Sequence, residues 1–207
     1  ILVCLVGSEM CIRDRPGSGR MDLICRNIGS ALLLSHGIRN DAEAIIHLLG
    51  GPGKPRRLRF RGIDMTGLRP DERSTAGRIR TVLEEPLPPV GIWREVSPGI
   101  SHSGGGLDST LSEWASDGVI AFHLDRNGSS LDSIHEIPPD VGFLVGDHRP
   151  LEAPNRKVAI DSISLGENWL LGSACISIVH HWLDSQEGNP SPSCLLYTSD
   201  AADDTCC

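Results

Sequence analysis

The chain lacks three features that would place it in a familiar functional class. Its apolar run at residues 1–7 is far shorter than the roughly 20 residues that cross a bilayer, so we expect no membrane partner. The turn Gly-Gly-Pro-Gly-Lys at residues 50–54 is followed by Pro55, where a P-loop needs Ser or Thr to hold Mg²⁺. The eight histidines show no ligand spacing with cysteine or carboxylates, so we expect no metal.

Cysteine becomes scarce once the two ends of the chain are set apart. Residues 5–15 are the translation of a DNA sequence that contains ATGTGTATAAGAGACAG, and residues 194–203 are the translation of one that contains its reverse complement. Both look like the transposon adapters used to build sequencing libraries. We therefore expect residues 1–15 and 194–207 to be adapter-derived, and residues 16–193 to form one domain. The alternative is a natural apolar N-terminus and a natural acidic tail.

Excluding the ends leaves two of the seven cysteines, Cys25 and Cys175. Two cysteines without a pairing signal are typical of a reduced, cytoplasmic protein and not of a disulfide framework. Residues 1–6 are uniformly apolar and β-prone, so we expect them to pair as a strand in place of a lost native one. A uniform apolar run specifies strand register only weakly.

Positive charge is also in the minority, except in one region. Residues 16–193 contain 17 basic and 22 acidic residues, and a net acidic chain is a poor general binder of nucleic acid. Residues 54–80 reverse this balance, with nine basic residues against three acidic ones. Arg57, Arg59 and Arg61 alternate along a predicted strand, which puts them on one face where they suit phosphate contacts. The alternative is a solvated charged face.

The sequence pattern predicts an α/β fold. Residues 118–125 and 141–148 are near-continuous apolar runs, as in buried parallel strands, and residues 157–163 alternate as a third strand. From Asn168, a plausible N-cap, the apolar spacing becomes helical. We expect a mostly parallel sheet with helices on both faces, in which the third strand passes through a loop at Leu165 and Gly166 into a helix. Such a loop either holds a small molecule by its backbone or is an ordinary connection.

Several motifs occur together in one order between Pro16 and about Asp184. They are Pro-Gly-Ser-Gly-Arg-Met-Asp-Leu-Ile-Cys-Arg at 16–26, Leu-Ser-His-Gly-Ile-Arg at 34–39, Pro-Asp-Glu-Arg-Ser-Thr at 70–75, Gly-Asp-His at 146–148, Ser-Leu-Gly at 164–166 and Cys-Ile-Ser-Ile-Val-His at 175–180. This order resembles the SPOUT methyltransferases, and most of all the archaeal tRNA pseudouridine-54 N1-methyltransferase family. The family has a longer helical segment where this chain has only residues 149–156.

The resemblance implies a fold, a reaction and partners. The fold is a C-terminal trefoil knot in which the loop at residues 165–170 threads near residues 146–148. The reaction is S-adenosylmethionine-dependent methylation of pseudouridine 54 in the tRNA T-loop, which gives N1-methylpseudouridine. The partners are tRNA and a second copy of the chain in a homodimer, in the cytoplasm.

The resemblance also implies roles for individual residues. The S-adenosylmethionine contacts are expected from Leu124, Gly146, Leu165, Gly166, Glu167, Asn168, Trp169, Leu170 and Cys175. Cys175 is equally compatible with a core position. Arg20, Arg26, Arg57, Arg59 and Arg61 are the candidates for RNA contact. Asp71 and Arg73 are the catalytic candidates, with Asp71 accepting or orienting the N1 proton. The alternative for Asp71 is a first-turn acid that the helix dipole favours.

Two other functions stay open at this point. One is the related methyltransferase that acts on small-subunit rRNA, whose members are longer and carry RNA-binding insertions not seen in this sequence. The other is a non-catalytic RNA-binding or dimerisation module, since adapter stands where the family has its first native strand.

Overall fold

The computed structural model describes residues 1–7, 21–49, 54–146 and 160–186. It contains ten strands and four helices within these ranges. The strands are β1 (Leu2–Gly7), β2 (Leu33–Leu34), β3 (Gly37–Ile38), β4 (Glu43–Leu48), β5 (Arg56–Arg61), β6 (Arg94–Ser97), β7 (Ile100–Gly104), β8 (Ile120–Ser130), β9 (Val141–Gly146) and β10 (Asp161–Ser164). The helices are α1 (Met21–Leu32), α2 (Glu72–Glu84), α3 (Leu107–Ser116) and α4 (Gly172–Gln186).

Eight of the strands form one sheet in the order β10-β8-β9-β1-β4-β5-β7-β6. The first five strands in this order pair in parallel, and we call them the parallel half. The remaining three, β5, β7 and β6, are joined by antiparallel pairing and form the antiparallel half. The prediction of a mostly parallel α/β sheet is confirmed. The three late strands of the sequence, β8, β9 and β10, lie together at one end of the sheet.

Helices cover both faces of the sheet because alternate residues of each strand point to opposite sides. On β4, Ala44 and Ile46 belong to a core that includes residues of α1, α2 and α4. Ile45, between them, packs with Leu111 and Trp114 of α3 on the other face. Gly142 of β9 allows this second contact, because a Cβ there would lie 2.4 Å from the Trp114 ring.

The far end of α4 is tied to a segment that lies early in the chain. Asp184 accepts two hydrogen bonds from the Arg39 guanidinium, at 2.7 and 2.8 Å. Arg39 follows the β2–β3 hairpin, and its backbone N–H donates to Leu32 O at the end of α1. The pair therefore joins the C-terminal ends of α1 and α4, which pack against each other.

Helix α4 begins later than the sequence predicts. Asn168 is not its N-cap, since the first helical residue is Gly172 and residues before it are loop. The apolar spacing predicts that Leu171, Cys175, Ile178, Val179 and Trp182 share the buried face, and of these Val179 and Trp182 are buried. Ile176, Val179 and Leu183 face the core, whereas Ile178 is exposed.

Strand β1 lies in the centre of the sheet, paired with β9 on one side and β4 on the other. Val3 is fully buried there, and the backbone of residues 2–7 continues both ladders. The expectation that the N-terminal apolar run pairs as a strand is confirmed. Its adapter origin stays a prediction, as does the division into residues 1–15, 16–193 and 194–207.

Candidate cofactor and RNA sites

Three parallel strands end at one edge of the sheet, where the sequence predicts the cofactor. His123 of β8 is opposite Leu144 of β9 and Ser162 of β10, so these strands run in step toward the same edge. Leu124 follows His123 directly, Gly146 ends β9, and Leu165 follows the end of β10. The fold therefore brings the three predicted cofactor segments together. Residues 147–148, part of the predicted knot, lie outside the described residues.

Strand β8 leaves its partner for a short excursion at this edge. Its pairing with β10 jumps from His123 opposite Ser162 to Ser129 opposite Ile163, so residues 124–128 are left out of the ladder. Asp125 Oδ1 accepts a hydrogen bond from Asn127 N at 2.8 Å, as in an Asx turn. Gly128 returns the chain to β10, and a Cβ there would lie 2.5 Å from the Ser162 backbone. The Asn127-Gly128 pair, a common turn sequence, lies in this excursion.

The loop after β10 leaves its backbone and apolar side chains open. Gly166 has a φ of +124°, which favours glycine, and a Cβ there would have nothing within 4 Å. Its N–H donates to Ser164 Oγ at 3.2 Å, and that hydroxyl donates to Gly166 O at 3.1 Å. Glu167 and Asn168 are exposed, and Trp169 is 76% exposed. Leu170 and Leu171 are exposed apolar residues as well.

Helix α4 starts from this loop and turns its first residues toward α1. A Cβ on Gly172 would lie 3.1 Å from Asn27 Nδ2, 3.2 Å from Asn27 Oδ1 and 3.4 Å from a Val145 methyl. Asn27 is 8% exposed, and its Oδ1 has no hydrogen-bond partner among the described residues. Cys175 is partly buried in the first turn, and burial raises the pKa of its thiol. It is therefore a neutral, apolar contact and not a thiolate.

These features fit S-adenosylmethionine chemically. Exposed Leu and Trp side chains suit an adenine ring, and an open loop backbone supplies hydrogen-bonding groups at the ring edge. The orphan Oδ1 of Asn27 needs a donor that the described residues do not supply. Among the described residues, no group of three or more His, Cys, Asp or Glu is placed to hold a metal ion. None of the described helices has the length and apolarity of a membrane crossing.

The catalytic candidates lie at the start of α2. Asp71 is its N-cap, and the carboxylate accepts a hydrogen bond from Ser74 N at 2.7 Å. The structure thus gives Asp71 the helix-start role that the sequence left as its alternative. Arg73 is exposed on the first turn. Glu72, between them, forms an ion pair of 3.4 Å with Arg26 of α1.

The five predicted RNA arginines differ in their surroundings. Arg20 lies outside the described residues. Arg26 is exposed on α1 and pairs with both Asp22 and Glu72. Arg61 is also exposed and pairs with Asp64 at 3.0 Å and with Glu43 at 3.6 Å.

Arg57 corrects the prediction of an arginine face for RNA. Its side chain has no exposed surface, because α3 covers this part of the sheet. Its Nη1 and Nη2 donate to the Glu113 carboxylate at 2.9 and 2.8 Å and also to Thr110 Oγ1 and Ser103 Oγ, and its Nε donates to Gly104 O. Next to it, burial and the charge of Arg57 lower the pKa of His47 to about 3. Arg57 is a structural ion pair and cannot contact RNA phosphates in this fold.

Arg59 is partly buried and opens into a cavity. Its guanidinium lies over the Trp93 ring at 4.3 Å, and its Nε donates to Ser101 Oγ at 3.2 Å. The cavity has a volume of about 660 Å³, and Arg59, Arg61 and Trp93 are among its lining residues. It lies on the antiparallel half, away from the edge where β8, β9 and β10 end. None of the predicted cofactor residues lines this cavity.

Sequence reasoning missed three residues that matter at these sites. Glu113 and Trp93 lie far from Arg57 along the chain, and only the packing of α3 and of the segment before β6 brings them to it. Asn27 is a polar residue on the buried side of the amphipathic helix α1. The only available signal was its position on the inward side of α1, next to Ile28.

Comparison with known proteins identifies relatives over most of the chain. The family model described as "Putative SAM-dependent RNA methyltransferase" matches residues 5–188. A tRNA (pseudouridine(54)-N(1))-methyltransferase from Methanococcus vannielii is 34% identical over 186 residues, which cover 87% of this chain and 93% of the relative. The enzyme of the same name from Methanosarcina acetivorans is 32% identical over 184 residues, covering 86% and 85%. That from Thermococcus kodakarensis is 32% identical over 187 residues, covering 85% and 91%.

A solved structure has the same fold. It is Archaeoglobus fulgidus Nep1 bound to S-adenosylhomocysteine, with a TM-score of 0.62 and 16% sequence identity. The likeness covers 89% of this chain and 98% of that one. At this identity it confirms the α/β fold alone.

Proposed function

The chain belongs to the family of SAM-dependent RNA methyltransferases, and from that premise we propose that it methylates N1 of pseudouridine 54 in the tRNA T-loop. The product is N1-methylpseudouridine. The observation that carries the proposal is the shared edge of β8, β9 and β10, where Leu124, Gly146 and the loop after β10 meet. Relatives over more than four fifths of the chain bear the name of this activity.

The reaction asks the protein mainly for positioning. Pseudouridine is joined to its sugar through carbon, so N1 carries a hydrogen that must leave when the methyl group arrives. S-adenosylmethionine supplies that methyl group on a positively charged sulfur. The protein holds the two reactants in line and excludes competing orientations, which accounts for a large part of such rate enhancements.

The cofactor residues are proposed on the geometry of this edge. Leu124, Leu165, Trp169 and Leu170 would provide apolar surface for the adenine, and Cys175 would be a neutral contact. The backbone at Gly146, Gly166, Glu167 and Asn168 provides donors and acceptors. The support is their placement: Leu124 lies in the excursion of β8 at this edge, Gly146 ends β9, residues 165–170 follow β10, and Cys175 lies in the first turn of α4.

The RNA and catalytic residues are proposed with the corrections above. Arg59 and Arg61 retain access to solvent on the antiparallel half, and Arg26 and Arg73 are exposed near the start of α2. Arg20 stays a candidate from its motif alone. Asp71 remains the candidate for orienting the N1 proton, although its carboxylate already caps α2.

We also propose the trefoil knot, a cytoplasmic homodimer and a dimer surface next to the cofactor. Supporting the dimer, Trp169, Leu171 and Ile178 expose apolar side chains along the loop and the outward side of α4. Contiguous apolar surface of this kind is a common mark of a protein–protein contact.

Methyl transfer from radiolabelled S-adenosylmethionine tests the proposed function. The substrates are a tRNA with pseudouridine 54, the same tRNA with uridine 54, and a small-subunit rRNA fragment containing pseudouridine. We expect label only in the first. Label in the rRNA fragment would assign the rRNA activity, and binding without transfer to any of the three would indicate a non-catalytic module.

A further inference from the structure

A buried polar atom lies beside the first turn of α4 without a partner. Asn27 is 8% exposed, and its Oδ1 accepts no hydrogen bond among the described residues. Burying an acceptor without a donor destabilises a fold, so such atoms are rare unless a ligand or water completes them. The Asn27 amide is therefore placed to receive a donor from outside the protein.

The amide lies against a helix N-terminus that has amides of its own to offer. A Cβ on Gly172, the first residue of α4, would be within 3.1–3.2 Å of both polar atoms of the Asn27 amide. Cys175 N–H donates to Leu171 O at 3.0 Å, whereas amides at the very start of a helix have no acceptor within the helix. These amides attract negative charge. An unpartnered acceptor and the free N–H groups of a helix start thus lie side by side.

The positions of Asn27 and Gly172 tie them to the cofactor edge. Val145, whose methyl group would be 3.4 Å from the same Cβ, precedes Gly146 at the end of β9. Residues 165–171 lead directly into Gly172. A molecule that occupies the loop backbone with its adenine can therefore extend toward Asn27.

We infer that Asn27 and the first turn of α4 bind the α-amino-acid end of S-adenosylmethionine. That end carries an ammonium group, which can donate to the orphan Oδ1, and a carboxylate, which the α4 amides can bind. Uncharged apolar neighbours such as Val145 and Ile28 would leave both charges without other protein partners. The inference rests on the proposed function for the identity of the cofactor.

Isothermal titration calorimetry with two ligands tests the inference. S-adenosylmethionine carries the amino-acid end, and 5′-methylthioadenosine keeps the adenosine and the thioether but lacks it. We expect Asn27→Leu to weaken S-adenosylmethionine binding at least about tenfold, as for the loss of a hydrogen bond to a charged group. Binding of 5′-methylthioadenosine should change less than about twofold, because its contacts lie in the loop. The exposed residue Asn40 supplies the control variant Asn40→Ala, which should bind both ligands as the wild type does.

Thermal melting separates binding from structural support. Since Asn27→Leu removes a buried unsatisfied acceptor, the ligand-free variant should melt at the wild-type temperature or above it. Gly172→Ala gives a second route, because its methyl group would crowd the Asn27 amide without requiring a new backbone conformation. It should weaken S-adenosylmethionine binding and spare 5′-methylthioadenosine.

The possible outcomes distinguish this inference from the function on which it rests. Equal losses for both ligands, or no loss for either, would overturn the role of Asn27 while leaving the methyltransferase intact. A folded wild-type protein that binds no S-adenosylmethionine would overturn both. Wild-type binding with the expected ligand difference, but no methyl transfer to tRNA, would uphold Asn27 and remove the proposed reaction.

Discussion

The Arg57 cluster in the antiparallel half and the cofactor edge of the parallel half differ in how their polar groups are partnered. In the antiparallel half, the buried Arg57 donates to Glu113, Thr110, Ser103 and a backbone carbonyl. At the edge of the parallel half, the space beside Gly166 is open and Asn27 Oδ1 has no donor among the described residues. A satisfied network holds a fold together, whereas a group left without a partner is available to a ligand. The Arg57 cluster therefore serves stability, and the edge is the part of the fold that we propose for the cofactor.

Removing a central strand of the parallel half should have the largest effect. Deleting residues 1–15 takes away β1, which pairs with both β9 and β4, so we expect loss of cooperative unfolding by circular dichroism. Deleting residues 194–207, the other end expected to be adapter-derived, should leave the melting temperature unchanged.

The origin of β1 is tested by replacement. Substituting residues 1–15 with the N-terminal strand of the Methanococcus vannielii relative should raise the melting temperature, if the present strand only imitates a native one. An equal or lower melting temperature would show that residues 1–7 already serve as the native strand.

Breaking the buried pair should damage stability and spare the cofactor. Glu113→Ala leaves Arg57 without its carboxylate, which costs about 3 kcal/mol of unfolding free energy, the lower end for a buried pair. The lower end applies because the Glu113 side chain is 32% exposed. Chemical denaturation measures the loss, and calorimetry should show unchanged S-adenosylmethionine affinity.

The matched control is the exposed pair between Arg80 and Glu84 on α2. Glu84→Ala should cost less than about 1 kcal/mol, as exposed pairs contribute little. Similar costs for the two variants would mean that the antiparallel half does not depend on its buried network.

A substitution in the loop after β10 should have the opposite effect, weakening S-adenosylmethionine binding more than it lowers stability. Gly166→Val meets no steric barrier, but its φ of +124° is strained for a β-branched residue by about 1–3 kcal/mol, so S-adenosylmethionine binding should fall roughly 10- to 100-fold. The valine should therefore weaken binding through its effect on backbone conformation and not by filling the space of the ligand. Gly91→Val carries a similar strain, at a φ of +82° and also in open space, but lies beside the antiparallel half. It should leave the affinity unchanged, and a loss common to both variants would contradict the site assignment.

The smallest expected effect concerns RNA. Arg59→Gln with Arg61→Gln should reduce the salt dependence of tRNA binding by a slope of roughly 1–2, as for two lost phosphate contacts, while S-adenosylmethionine affinity stays constant. Both arginines also contact protein groups, so the loss in affinity should be modest. Arg80→Gln, on α2, is the control. An unchanged salt slope would show the arginines of β5 to be structural throughout.

The sequence was sufficient for elements whose signal is local. Apolar runs located β8 and β9, whereas the grouping of Leu124, Gly146 and Leu165 as cofactor contacts came from the family resemblance. The same alternation put Arg57, Arg59 and Arg61 on one face of β5. The alternation could not predict which part of that face α3 covers, since Glu113 lies on that helix some fifty residues further along the chain.

Two other features could not be predicted from the sequence because they also depend on tertiary packing. Asn168 has the side chain of an N-cap, but whether it serves as one depends on where the chain leaves β10, and the helix starts only at Gly172. Asn27 gives no periodic signal, and its lack of a partner appears only when α1 and α4 are packed together.

The bond between Arg39 and Asp184 gives α4 two unequal ends. In its last turn, Asp184 accepts two short hydrogen bonds from Arg39, whereas its first turn follows an exposed loop. Amide hydrogen exchange should therefore be slow near Val179 and Leu183 and progressively faster toward Gly172. The hydrogen bonds from Arg39 lower the pKa of Asp184 below its usual 3.8. The ion pair therefore persists at neutral pH and is lost only as the pH falls below 3.8. In acid the gradient should flatten from the C-terminal end, while exchange in the first turn changes little.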